Sequence, residues 1–149
     1  MLRDDRQVAL DDVIVVLETA SDAYADASEL LRSSSPDLAS RFDTLARRRA
    51  AAAARLSEHL QALGDLPSEP DQDLTTLDVV MRHLRAHFAG PEWDELISEA
   101  VAHEEEIAAK AELAVETSPP EPVIAALQSV AEEARQTISA LRREQAQHE

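Results

Sequence analysis

Apolar residues recur along this chain at alternating spacings of four and three, the repeat of a helix with one buried stripe. Leu10, Ile14, Leu17, Ser21, Tyr24, Ser28 and Leu31 follow it and predict a first helix from about Arg6 to Arg32. Val13, Ala20 and Ala27 widen its stripe to one side. Ser33-Ser34-Ser35 interrupts the pattern, and Ser35-Pro36-Asp37 restarts a helix. It offers an N-cap, a proline where no amide bond is lost, and an acid favoured by the helix dipole. The second helix, about Pro36 to Leu63, places Leu38, Phe42, Leu45, Ala52, Leu56, His59 and Leu63 on one face. Gly64 supplies its C-terminal stop.

A loop follows over Asp65 to Asp73, punctuated by Pro67 and Pro70, and leads into a short amphipathic helix from about Leu74 to Phe88. Leu77, Met81, Leu84 and Phe88 form the apolar side of that helix, and Gly90-Pro91 ends it. The third long helix runs from about Pro91 to Thr117, with Trp93, Ile97, Ala100, Glu104, Ile107, Ala111 and Ala114 on its seam. Ser118-Pro119-Pro120 stops it. The last helix, about Glu121 to Ala146, presents Ile124, Leu127, Ala131, Ala134, Ile138 and Leu141. No strand-like alternation occurs. The pattern predicts one all-α domain over residues 1–149: a four-helix bundle with one short extra helix on the crossover between the second and third long helices. A crossover that carries its own helix points to ferritin-like connectivity.

Composition supports close helix packing: 44 % of the residues are hydrophobic, yet only 3 % are aromatic and 2 are Gly, so much of the apolar share is Ala. Charge narrows the partners. With 14 Lys+Arg against 30 Asp+Glu the net charge is −16, which opposes binding to a nucleic-acid backbone or to anionic lipid. The absence of Cys removes disulfides, thiolate catalysis and Cys-ligated metal centres. Met1-Leu2-Arg3-Asp4-Asp5 is unlike a secretory signal, and no apolar run approaches the roughly 18 residues of a membrane span. A cytoplasmic protein is the expectation.

A bundle that holds two metal ions takes a Glu from each of two helices and a Glu-x-x-His turn from each of the others. This chain has no Glu-x-x-His: Leu56, Val80, Leu84, Ala100 and Gln145 stand three residues before His59, His83, His87, His103 and His148. His83 and His87 share a face of the short helix at a chelating spacing, without a nearby third ligand. What the third helix does carry is Glu104 on its buried seam.

The opening Leu10-Asp11-Asp12-Val13-Ile14, the Tyr24 region, and Leu45 to Leu56 running into Leu63-Gly64 carry a resemblance, together with Gly90, Glu104-Glu105 and Ile138-Ser139-Ala140-Leu141-Arg142. Over roughly Leu10 to Arg142 the chain resembles the bacterial ferritin-like four-helix-bundle proteins of the domain of unknown function 2383 type. The resemblance implies a ferritin-like fold and, through it, a metal centre. Where such proteins often carry Glu in the second helix, this chain has Arg48, and Ala51 stands at the nearby position the resemblance gives to a polar residue or His. The family's common His position in the last helix falls on Arg135, whereas Glu104 keeps its acid.

A buried carboxylate must be paired or neutral. Arg48, Arg49 and Arg135 are the candidate partners of Glu104, because a guanidinium can satisfy both carboxylate oxygens at once. Such a fixed cation would also repel a metal ion. Arg47, Arg48 and Arg49 fan around the helix at about 100° per residue and make no basic patch. The sequence therefore predicts a non-enzymatic bundle with a metal-free centre that works through a protein partner or a homodimer. The rival is an iron- or manganese-binding protein with a rebuilt ligand set drawn from Glu18, Asp22, His103, Glu104 and Glu105.

Overall fold

The structure is a computed structural model, and it describes residues 4–65 and 93–148. Four helices make up these residues: α1 (Asp5–Leu31), α2 (Pro36–Ala62), α3 (Trp93–Glu116) and α4 (Glu121–His148). No strand occurs among the described residues. The short helix expected over Leu74 to Phe88, with His83 and His87, lies outside them. No helix among them is long and apolar enough to cross a membrane.

Helix ends follow local chemistry. Asp4 opens α1 with a capping box: its carboxylate accepts from the Gln7 amide at 2.9 Å, and the Gln7 side chain accepts from the Asp4 amide at 2.9 Å. That amide hydrogen bond holds the Asp4 carboxyl below its usual range. At the end of α2, Asp65 N–H bonds the Leu60 carbonyl at 3.2 Å and Gly64 N–H bonds Gln61 at 2.9 Å. These are the paired bonds of a Schellman stop, with Gly64 in the left-handed region at φ 88°. Ser118 takes that conformation after α3, at φ 58°. Ser35 makes no side-chain cap bond to α2, so Pro36 at the first helical position is what shapes that start.

Side-chain links give the helix directions. Ser21 donates to the Ala46 carbonyl and Ser28 to the Ala39 carbonyl, each at 2.8 Å, so α1 and α2 run antiparallel. Arg41 pairs with Glu144 while Arg49 reaches Thr137, which makes α2 and α4 antiparallel. Gln145 bonds Ser98 at 2.9 Å and Arg142 bonds Glu105 at 2.9 Å, so α3 and α4 are antiparallel too. The ring order is α1, α2, α4, α3. The backbones of α2 and α3 make no close approach across it, nor do those of α1 and α4. Because α2 and α3 run in the same direction, the end of one and the start of the other lie at opposite ends of the bundle.

The core is aliphatic and alanine-rich, with Tyr24 and Phe42 the largest fully buried side chains. Their rings meet at 5.8 Å. The two serines on the α1 stripe explain its small residues. They let α2 come close, and each hydroxyl shares a carbonyl already used within that helix.

On α2 the buried face is Leu38, Ala39, Phe42, Ala46, Arg49, Ala52, Ala53, Leu56 and Leu60. His59 and Leu63, expected on it, are half-buried, because Leu60 continues the stripe one turn beyond Leu56. On α4, Val123 and Val130 are buried, whereas Ile124 and Ile138 are only half-buried.

Candidate functional site

Four buried polar side chains stand out among the described residues: Asp11, Ser28, Arg49 and Glu104. Two of them meet at the centre of the bundle. Arg49 and Glu104 have side chains 3 % and 0 % exposed, and Arg49 donates to both Glu104 oxygens, from Nε at 3.1 and 3.0 Å and from Nη2 to Oε1. This pair crosses the diagonal from α2 to α3. Neighbouring helix axes lie roughly 8–10 Å apart, so the diagonal is about 11–14 Å. Only long side chains from both helices close that distance.

The other two helices complete the network. Tyr24 on α1 donates its hydroxyl to Glu104 Oε2 at 2.6 Å and lies 3.2 Å from the Ala100 carbonyl. On α4, Thr137 accepts from Arg49 at 2.9 Å and donates to the Glu133 carbonyl at 2.9 Å. The Glu133 carboxylate stands 3.5 Å from Arg49 Nη1. All four helices are thus joined at one level by charge-assisted hydrogen bonds.

Burial pushes the Tyr24 hydroxyl far above the ordinary tyrosine range, and the adjacent Glu104 charge raises it further. Tyr24 therefore keeps its proton and is a firm hydrogen-bond donor to that carboxylate. Burial works against the charge on Arg49, but hydrogen bonding and attraction to Glu104 outweigh it and hold the guanidinium above its usual value. Arg49 remains a cation.

The partners expected for Glu104 separate cleanly. Arg49 makes the buried pair. Arg48 and Arg135 do not, and both are exposed. Arg48 points about 100° away from Arg49 around the helix. Arg135 follows the buried Ala134 and pairs at the surface with Glu112. Arg47 likewise stays outside, 3.1 Å from Asp43. Tyr24, Thr137 and Glu133 are network members that the sequence reading did not assign. Tyr24 could have been found as the one large polar residue on the α1 stripe. Thr137 carried no comparable signal.

The alternative metal ligands are not gathered. Glu105 is exposed and accepts from Arg142. Asp22 is exposed, with partial desolvation raising its carboxyl, and Glu18 is half-buried. His103 meets the Tyr24 ring edge-on at 5.9 Å. Among the described residues, no three His, Asp or Glu side chains come together as metal ligands. The donor set at the centre does not fit a metal pair: it holds one fully buried carboxylate, and a guanidinium and a phenol occupy its oxygens.

No protein-family model matches this sequence, and neither a curated protein nor a solved structure matches it.

Proposed function

We propose that this chain is a ferritin-like bundle in which a guanidinium has replaced a metal centre, and that it works by association rather than catalysis. The observation that carries the reading is the Arg49–Glu104 pair across the diagonal, tied to Tyr24 and Thr137. A divalent ion at that level would stand beside a fixed positive charge and compete with it for Glu104. The resemblance in the helical patterns adds the ferritin-like assignment, with Arg48 and Arg135 at two positions where such proteins carry ligands. The Arg49 cation on Glu104 argues against iron or manganese held by Glu18, Asp22, His103, Glu104 and Glu105.

Nothing at the centre is arranged for acid–base work. Its one fully buried carboxylate is neutralised by Arg49, and the Tyr24 proton is held too strongly to be released near neutral pH. A protein partner or a second copy of the chain, meeting an outer helix face, is the association we propose. A nucleic-acid partner conflicts with the charge of −16. The test is metal content. Protein purified without chelators from iron- and manganese-supplemented cells should contain neither metal in stoichiometric amount. A full equivalent of either, lost in Glu104→Ala, would overturn the metal-free reading. Sedimentation across a wide concentration range tests self-association, and a strict monomer throughout would leave only the partner-protein form.

A further inference from the structure

The bundle is least tightly closed between α2 and α4, whose backbones approach each other less than any other neighbouring pair. Among the described residues, a groove of about 350 Å³ opens there, between Leu38 and Arg48 on α2 and between Glu133 and Glu144 on α4. That stretch of α2 rises roughly 15 Å. The volume falls at the small end of the ~300–1,000 Å³ typical of small-molecule sites.

The floor of the groove is apolar, formed by Leu38, Phe42, Leu45 and Leu141, and its walls are polar, with Thr44 and Gln136 among them. Its two ends differ in charge. At one end Arg41 is neutralised by Glu144. At the other stands Arg48, exposed and without an ion-pair partner among the described residues, between Arg47 and Arg49, which pair with Asp43 and Glu104. Of the two guanidinium groups that line the groove, only Arg48 lacks an internal counter-charge among the described residues. It offers a planar, two-pronged donor for a carboxylate. Glu133 on the opposite wall opposes a more highly charged anion such as a phosphate.

We propose that this groove binds an amphipathic monocarboxylate, a fatty-acid-like molecule whose chain lies along Phe42, Leu45 and Leu141 and whose carboxylate meets Arg48. The groove shares Thr137 and Glu133 with the central network, but its proposed ligand contacts lie outside the Arg49–Glu104 pair and the proposal goes beyond the association reading above.

Sodium decanoate, kept below its micellar concentration, is the probe, with calorimetry as the readout. One equivalent should bind to the intact chain. Decanol, with the same chain and no charge, should bind at least tenfold more weakly. Arg48→Gln should lower decanoate affinity about tenfold, and Leu45→Asp should abolish binding. Circular dichroism on both variants confirms that they are folded. In amide spectra the shifts on titration should centre on Thr44 and Ala140. Equal affinity for decanol and decanoate, or unchanged affinity in Arg48→Gln, would overturn the proposal. So would a dimer that Leu45→Asp splits while neither form binds decanoate, which would make a second copy of the chain the occupant. Metal content is measured on the same preparations, so failure here and failure of the metal-free reading are told apart.

Discussion

Replacing Arg49 by Met, Glu104 by Leu, and both together tests whether the central pair behaves as one unit. Either single change strands a charge in a place that water barely reaches, since the two side chains are 3 % and 0 % exposed. Removing one partner of a buried pair costs about 3–5 kcal/mol. At an m-value of roughly 2 kcal/mol/M, that lowers the urea midpoint by about 1.5–2.5 M. The double variant is different, because replacing both charges with apolar groups of similar volume is neutral or stabilising. The network allows this without orphaning its other members. Tyr24 keeps the Ala100 carbonyl at 3.2 Å, and Thr137 keeps the Glu133 carbonyl at 2.9 Å. Stability of the double variant should therefore lie within about 1 kcal/mol of the parent or above it, with a coupling energy above about 3 kcal/mol. Arg48→Met and Arg135→Met serve as controls, each within about 0.5 kcal/mol as exposed substitutions. Urea unfolding followed by circular dichroism reads the parent and all five variants. A double loss equal to the sum of the singles would refute the pairing argument.

Tyr24 is the only tyrosine, so tyrosinate absorbance reports on it alone. Its folded pKa is raised, so its stabilising contribution is complete below the unfolded value of about 10 and is lost as pH climbs beyond it. Unfolding free energy should fall there by up to about 1.4 kcal/mol per pH unit, with phenolate appearing only as the chain unfolds; native ionisation near pH 10 would contradict this. Arg49→Lys keeps the charge but loses the two-pronged geometry, and should destabilise by about 2 kcal/mol in urea titration; a silent substitution would show that charge alone suffices. Gly64 and Ser118 form an opposed pair. Gly64→Ala should cost about 1 kcal/mol although nothing lies within 4 Å of the added methyl, because only the left-handed backbone resists it. Ser118→Gly should gain about 0.5–1 kcal/mol by relieving the same strain, and thermal melts that moved together would refute the backbone account.

Much of this architecture was readable from spacing, and its failures are equally local. The steps Leu38, Phe42, Leu45, then Ala52 and Leu56, leave a gap that position 49 completes, so Arg49 was legible as a seam residue. Its neighbour Arg48 flanks the same seam by spacing, and the resemblance also assigns it a ligand position. On α4, two frames are equally regular. One runs Ile124, Leu127, Ala131, Ala134, Ile138 and Leu141; the other runs Val123, Leu127, Val130, Ala134, Thr137 and Leu141. Both have a four-and-three rhythm and apolar side chains, so periodicity could not choose between them. Val123 and Val130 of the second frame are buried where Ile124 and Ile138 of the first are half-buried, and the second frame brings Thr137 rather than Arg135 to the centre. Glu104 was visible as a charge on a buried stripe. That Tyr24 would bond it depends on which helices are neighbours, and ring order is not written in any single helix.

The Arg49–Glu104 contact also divides the chain's assembly into two halves. The leading hairpin brings a phenol and a cation; the trailing hairpin brings an anion and a hydroxyl. Sliding one hairpin along the other by a turn would leave Arg49 facing Ala100 or Ala108, with both ions stripped of water and of each other. Wrong alignments are thereby penalised over a surface whose alanines would otherwise dock almost anywhere. The polar cross-tie acts as an alignment key for an interface too uniform to set its own position.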